Sequence, residues 1–136
     1  MQGPQACVFC RVVAGELPSY KVYEDDWVLA MLDIRPVGRG HTLVVPKQHF
    51  EDVLDIEEDL MLHIYRVAKK VAEAQKRALN PAGIGIAQNN GAAAGQIIFH
   101  FHAHVIPKES VNQNRYEPSP EELTEVAELI RKNLVT

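Results

Sequence analysis

The sequence predicts an α+β fold: a five-stranded antiparallel sheet with one long helix packed on it and a C-terminal helix. Short β-forming runs are divided by turn residues, and two amphipathic stretches make the order strands, helix, strands, helix. Because short connections join the early strands, these strands favour antiparallel pairing.

The first half of the chain is predicted to form one short helix or turn and three strands. The helix or turn covers residues 7–14 and ends at Gly15. The three β-forming runs that follow cover residues 20–24, 27–32 and 41–45. Asp25 and Asp26 divide the first two runs, which is typical of a hairpin.

The long helix has the strongest helical pattern in the sequence. Asp55 can cap its first turn and Glu58 can reach back to it, as in a capping box. Its apolar residues recur every three or four positions until Asn80 and Pro81, and they are Leu60, Ile64, Val67, Val71 and Ala74. This spacing predicts one buried stripe.

Two later strands and a second helix complete the expected fold. The strands are predicted at residues 83–87 and 97–106, with Pro107 ending the second. Ser119 and Pro120 are typical of a helix start, and this helix extends to about Leu134. No repeat or linker divides the chain, so residues 1–136 are expected to form a single domain.

Composition narrows the classes of function. With 46% hydrophobic and 24% charged residues, the chain matches globular proteins rather than disordered or membrane ones. A net charge of −4 argues against nucleic-acid binding, although a pocket with a few donors can still bind a small anion. No apolar run could cross a bilayer, and residues 1–6 have no signal-peptide pattern. With two cysteines too close together to staple a secreted fold, a cytoplasmic location is expected.

Three alternating histidines, His100, His102 and His104, are the most unusual local feature. Side chains alternate along a strand, so the three imidazoles are predicted to share one face while the apolar residues between them face the core. No packing requirement asks for three titratable rings in a row. The pattern therefore indicates chemistry.

Two kinds of chemistry suit this face. One is metal binding, but at about 3.3 Å per residue the outer rings lie about 13 Å apart, too far for one ion to use all three. The other is nucleophilic and acid–base work on a phosphoryl group, for which neutral imidazole is suited near pH 7. Metal binding and phosphoryl chemistry can also occur together, on different rings of the three. The loop at residues 88–96 combines amide side chains with glycines, which favours phosphate contacts.

A C-x-x-C pair, Cys7 and Cys10, lies near the N-terminus. Alone it is compatible with a redox motif, a metal half-site or coincidence. The metal interpretation is favoured because no typical redox-fold strand precedes the pair. In addition, His49 and His100 can complete a Cys2His2 set, which is a structural zinc arrangement.

The run His-Phe-His-Ala-His-Val-Ile at residues 100–106 resembles the signature of the histidine triad (HIT) family. Other matching segments follow in the family's order, and they are Asp33-Ile34, Gly40-His41, Pro46-Lys47-Gln48-His49 and Gly95-Gln96. The resemblance implies an α+β homodimer that hydrolyses or transfers purine nucleotides at the α-phosphate.

The resemblance also implies roles for single residues. His102 would be the nucleophile that forms a nucleotidyl-imidazole intermediate, and His104 and His41 would contact the phosphate or leaving group. Asp33 would bind the ribose hydroxyls. The remaining nucleotide contacts are two polar residues and an apolar slot for the base, namely Asn89, Gln96, Val8, Phe9, Met31 and Ile34. Some members carry zinc on a set of four residues that this chain also has: Cys7, Cys10, His49 and His100.

The resemblance leaves three functions as alternatives. The leading one is a purine nucleoside phosphoramidase, and the second is a dinucleoside polyphosphate hydrolase. The third is a nucleotide-binding adaptor protein with vestigial catalysis. Many members have Ser or Thr directly after the glutamine, where this chain has Ile97, so the sequence leaves the leaving group open.

Overall fold

A computed structural model of the chain describes residues 7–135. The strands are β1 (Lys21–Glu24), β2 (Val28–Leu32), β3 (Thr42–Pro46), β4 (Gly83–Ala87) and β5 (Ala103–Lys108). The helices are α1 (Val8–Val13), α2 (Glu58–Leu79) and α3 (Pro120–Lys132). All strands pair antiparallel in one sheet of order β1-β2-β3-β5-β4, which confirms the predicted fold class. The expectation about a signal peptide at residues 1–6 lies outside the described residues.

The sheet is buried on both faces in its centre, which explains the continuous apolar runs of β2 and β3. One set of alternate residues packs in the larger core with α2 and α3, and it includes Val28, Ala30 and Val44. The other set packs with α1, and it includes Leu29, Met31, Leu43 and Val45. The long helix therefore packs on one face as predicted, and α1 covers the opposite face.

The start of α2 differs from the prediction. Asp55 does not cap the helix, because its Oδ2 accepts a hydrogen bond from the Glu51 N–H at 2.8 Å within the preceding turn. The N-cap residue is Glu57, whose side chain makes no capping bond. The predicted capping box of Asp55 and Glu58 is therefore wrong, since a local turn uses the carboxylate first.

The strand predicted at residues 97–106 is shorter at its start than expected. It begins at Ala103, because the Phe101 N–H donates to the Phe50 carbonyl in a loop, at 2.7 Å, rather than to a neighbouring strand. The alternation of faces still holds. Phe101 lies in the core with α2, whereas His100 and His102 lie on the opposite side.

The same strand also continues beyond its predicted end. β5 includes Pro107 and ends at Lys108, so the prediction that Pro107 ends the strand is wrong. Beyond Val105, β5 pairs with β4 alone, and a proline without an N–H is tolerated in a strand that is paired on one side.

His63, which has no predicted role, ties the turn of the β1–β2 hairpin to α2. Its Nε2 lies 2.7 Å from Asp25 Oδ2, and the Tyr23 hydroxyl donates to the same oxygen at 2.8 Å. The N–H groups of Trp27 and Val28 donate to Oδ1 of this carboxylate. Burial raises the pKa of Asp25, but these hydrogen bonds outweigh it and lower the pKa to about 2.

The sheet leaves β4 as an edge strand with several exposed residues, a surface on which another strand can pair. The homodimer implied by the family resemblance stays a prediction, which sedimentation of the purified protein would test. Within residues 7–135, no helix has both the length and the apolar character needed to span a membrane.

Candidate functional site

A cavity of about 640 Å³ lies between α1, the end of β2 and the residues before β5, a size typical of small-molecule sites. The apolar residues predicted to hold a base all line it, and they are Val8, Phe9, Met31 and Ile34. Four of the predicted polar residues line it as well, namely Asp33, Asn89, His102 and His104. The structure thus brings most of the predicted nucleotide contacts to one place.

Two of the residues predicted to contact the nucleotide, His41 and Gln96, do not line this cavity. Gln96 is only 4% exposed, and its amide bonds to backbone groups. Its Oε1 accepts from the Gly91 N–H at 2.7 Å, and its Nε2 donates to the carbonyls of Glu51 and Ile98. In the structure Gln96 therefore braces the loop at residues 88–96.

The hydrogen bonds of His102 fix its tautomer. Its Nδ1 lies 2.7 Å from the His100 carbonyl oxygen, and because a carbonyl can only accept, Nδ1 carries the proton. In the neutral ring, Nε2 then has a free lone pair. Phe9 packs edge-on against the ring, with the centroids 5.2 Å apart. Since the ring lines the cavity, His102 offers an imidazole nucleophile to a ligand.

His41 and His104 form a hydrogen-bonded chain beside His102. The Val37 N–H donates to His41 Nδ1 at 3.1 Å, so the proton of neutral His41 is on Nε2. His41 Nε2–H donates in turn to His104 Nδ1 at 2.9 Å, which leaves the His104 proton on its own Nε2. His104 thus has an N–H donor, with its ring centroid 4.9 Å from that of His102.

Burial keeps these rings neutral at neutral pH. It lowers the pKa of His41 to about 3 and the pKa of His104 to about 4. It also lowers the pKa of His102, against the opposing effects of the His100 carbonyl and Asp33. The site therefore combines a neutral ring with a free lone pair, His102, and a neutral ring with an N–H donor, His104.

Asp33, His41 and His104 also place ligand atoms within 4.8 Å of one another, a spacing compatible with a metal ion. The hydrogen-bond directions argue against that use. His41 Nε2 could ligate a metal only by moving its proton to Nδ1, which would then face the Val37 N–H. We therefore interpret His41 and His104 as hydrogen-bonded rings with defined proton positions, and not as metal ligands.

The four predicted metal ligands form a compact cluster. The ligand atoms of Cys7, Cys10, His49 and His100 all lie within 4.8 Å of one another. Cys7 Sγ is 3.3 Å from His100 Nδ1, and Cys10 Sγ is 3.2 Å from His49 Nδ1. These separations are compatible with a tetrahedral ion whose ligand bonds measure about 2.0–2.3 Å.

His100 is oriented as a ligand by its surroundings. Its Nε2 lies 2.7 Å from the Pro46 carbonyl, so Nε2 carries the proton and the lone pair of Nδ1 faces the two thiols. Burial lowers the pKa of His100 to about 4. Burial and the adjacent Cys7 raise the pKa of Cys10 to about 11, so a cation is needed to hold its thiolate at neutral pH. The donor set fits a metal ion.

Arg115 is a site residue that no sequence pattern reveals. It lies in the segment between β5 and α3 and lines the cavity. Its Nη1 donates to Asp33 Oδ2 at 3.0 Å, a contact between residues 82 positions apart. No spacing rule connects such distant positions.

Comparison with known proteins decides the family. The family model of the HIT domain matches residues 14–111 of the sequence, which is most of the chain. The chain belongs to the HIT family. This HIT protein is 44% identical over 108 residues to Protein hit of Bacillus subtilis, a match that covers 79% of this chain and 74% of that protein.

Solved structures of other HIT proteins are similar over nearly the whole chain. A zinc-bound histidine triad family protein from Mycobacterium smegmatis matches with a TM-score of 0.86 and 38% identity. This match covers 96% of this chain and 94% of the other chain. A hypothetical histidine triad nucleotide-binding protein from Sulfolobus tokodaii matches with a TM-score of 0.87 and 38% identity, and this match covers 93% of this chain and 91% of the other chain. This HIT protein thus shares its fold with other members of the family, one of which is described as nucleotide-binding.

Proposed function

We propose that this HIT protein hydrolyses or transfers purine nucleotides at the α-phosphate, through a nucleotidyl group on His102, most simply as a purine nucleoside phosphoramidase. The observation that carries the proposal is the free lone pair of His102 Nε2 in a ring that lines the cavity. A nucleophile of this kind divides one displacement at phosphorus into two easier ones.

In the first step His102 Nε2 attacks the α-phosphorus, and the bond from phosphorus to nitrogen breaks as the leaving amine takes up a proton from solvent. The His100 carbonyl that accepts from Nδ1–H stabilises the positive charge that develops on the ring. His104 Nε2–H donates to a phosphate oxygen as negative charge builds up there. Water then attacks phosphorus and gives up a proton to solvent, and the bond from phosphorus to Nε2 breaks, which restores the lone pair of His102 and releases the nucleoside monophosphate.

The rest of the cavity suits the other parts of a nucleotide. Val8 and Ile34 are 39% and 61% exposed, and a purine base would cover this apolar surface. Phe9 and Met31 are buried at the back of the same slot. Asp33 would accept hydrogen bonds from the ribose hydroxyls, and Asn89 would donate to the phosphate.

We further propose that Cys7, Cys10, His49 and His100 hold one structural zinc ion. Zinc would link α1 to residues far along the chain, and four protein ligands would leave it no open position for catalysis. The distances within the cluster support this set. The similar protein from Mycobacterium smegmatis is described as zinc-bound.

Substrate preference is the test of the reaction class. We expect the purified protein to release AMP from adenosine phosphoramidate with a kcat/KM roughly tenfold or more above that for diadenosine polyphosphates. The physical reason is charge: a polyphosphate leaving group is strongly anionic, whereas both arginines that line the cavity already face a carboxylate, Arg115 at Asp33 and Arg35 at Glu117. Ile97, 82% exposed and also lining the cavity, gives a leaving group no hydroxyl donor.

Other results would support the alternatives. Preferential turnover of the polyphosphates would contradict the phosphoramidase and indicate a dinucleoside polyphosphate hydrolase. Binding of AMP without turnover of either substrate would contradict catalysis and indicate an adaptor protein.

A further inference from the structure

Arg115 is held over the cavity by the segment at residues 113–116, which docks on the loop after β2. Gln113 Nε2 donates to the Val37 carbonyl at 3.1 Å, and the Tyr116 N–H donates to the Pro36 carbonyl at 3.1 Å. Between these two anchors, the Arg115 guanidinium donates to Asp33 Oδ2 and to the Arg35 carbonyl. The segment is therefore anchored on both sides of Arg115, through the Gln113 side chain and the Tyr116 backbone, while the Arg115 side chain is 43% exposed.

The charges around the cavity single out this guanidinium. Among the residues that line the cavity, the two with permanent positive charge are Arg35 and Arg115. The Arg35 side chain is 65% exposed and lies nearest Glu117, with 3.8 Å between Nε and Oε1. Arg115 instead pairs with Asp33 Oδ2, which is 3.8 Å from His41 Nε2. In addition to burial, its charge lowers the pKa of His41 and of His104.

The ion pair conflicts with the binding of a ribose. Asp33 Oδ1 already accepts from the Arg35 N–H at 2.9 Å, and Arg115 occupies Oδ2. Each oxygen has room for a second hydrogen bond, so ribose hydroxyls would not be excluded, but they would compete with the guanidinium for the charge of this carboxylate. A nucleoside would displace it without compensation, whereas a nucleotide brings a phosphate that a planar guanidinium can bind through two N–H groups.

We infer that Arg115 exchanges its ion pair with Asp33 for the phosphate of the bound nucleotide, and so selects nucleotides over nucleosides. This inference rests on the proposed function, because it takes the cavity as the nucleotide site. It assigns to Arg115 the positive charge that meets the phosphate beside the neutral His104. It also means that Asp33 binds ribose without a competing cation when a phosphate is present to take the guanidinium.

Equilibrium binding of AMP and of adenosine tests this exchange without requiring turnover. Arg115→Gln is expected to weaken AMP binding roughly tenfold to a hundredfold, the range for a lost hydrogen-bonded charge. Its affinity for adenosine is expected to stay the same or rise, because Asp33 loses its competitor. Arg115→Lys, which keeps the charge but not the planar fork, should fall between the wild type and Arg115→Gln for AMP.

Arg66→Gln is the matched control, since it removes the same charge from an exposed position of α2. It should bind both ligands as the wild type does, and melting temperatures would verify that every variant is folded. Equal losses for AMP and adenosine in Arg115→Gln would overturn the inference, since Arg115 would then only position Asp33. Unchanged affinity for both ligands would overturn it too. If the wild type bound neither ligand, the proposed function itself would fail.

Discussion

Replacing His102 with glutamine is expected to lower kcat by roughly a thousandfold or more while the protein stays folded. Glutamine has no nitrogen lone pair that can attack phosphorus, so the covalent step is lost. Such a change corresponds to about 4 kcal/mol of transition-state stabilisation. Steady-state release of AMP from adenosine phosphoramidate would measure it. AMP binding should change much less, because the base slot and Asp33 are intact.

His63→Gln is the matched control, because it also replaces an imidazole with an amide. His63 lies on α2 against Asp25 and does not line the cavity, and glutamine can still donate to that carboxylate. Its kcat should equal that of the wild type. Turnover by folded His102→Gln at the wild-type rate would rule out His102 as the nucleophile.

Loss of the zinc site is expected to have the second large effect. Protein purified without added metal should contain about one zinc ion per chain, the number that one Cys2His2 set binds. Removing that zinc should lower the free energy of unfolding by about 4 kcal/mol, the value for a ligand at about a thousand times its Kd. The reason is that zinc would join α1, through Cys7 and Cys10, to His49 and His100. Metal analysis and urea titration would measure the two quantities.

Substitutions separate this effect from a general loss of stability. Cys7→Ser and His49→Gln should both lower the zinc content, whereas His63→Gln should keep the full amount. Turnover should also fall in the first two variants, because the His100 carbonyl orients His102. Fully reduced wild-type protein without bound metal, or zinc retained by both ligand variants, would contradict the site.

Alternation in the sequence is enough to predict which faces the triad residues occupy. Side chains of an extended chain alternate whether or not a neighbouring strand pairs with it. This is why the shared face of His100, His102 and His104 is predicted correctly, although β5 begins only at Ala103. The residue at which strand pairing starts is different, because the Phe101 N–H donates to the carbonyl of Phe50, a distant residue. Local sequence does not specify that hydrogen bond.

Features that depend on distant backbone groups escape prediction in the same way. The tautomers of His102 and His41 follow from the carbonyl of His100 and the N–H of Val37, whose positions only the folded chain defines. Arg115 reaches Asp33 because α3 and the segment before it fold back over the sheet. Asp55 shows the opposite error. Its spacing from Glu58 matches a capping box, but its carboxylate accepts from the Glu51 N–H instead.

The stereochemical course at the α-phosphorus tests covalent catalysis by His102 most directly. A substrate with a chiral phosphorothioate at this position would be hydrolysed in water labelled with heavy oxygen, which makes the phosphorus of the product chiral, and the configuration of the product would be determined. Attack by His102 followed by attack by water comprises two displacements, so we predict overall retention of configuration. Inversion would show a single direct attack by water and would contradict a nucleotidyl-histidine intermediate.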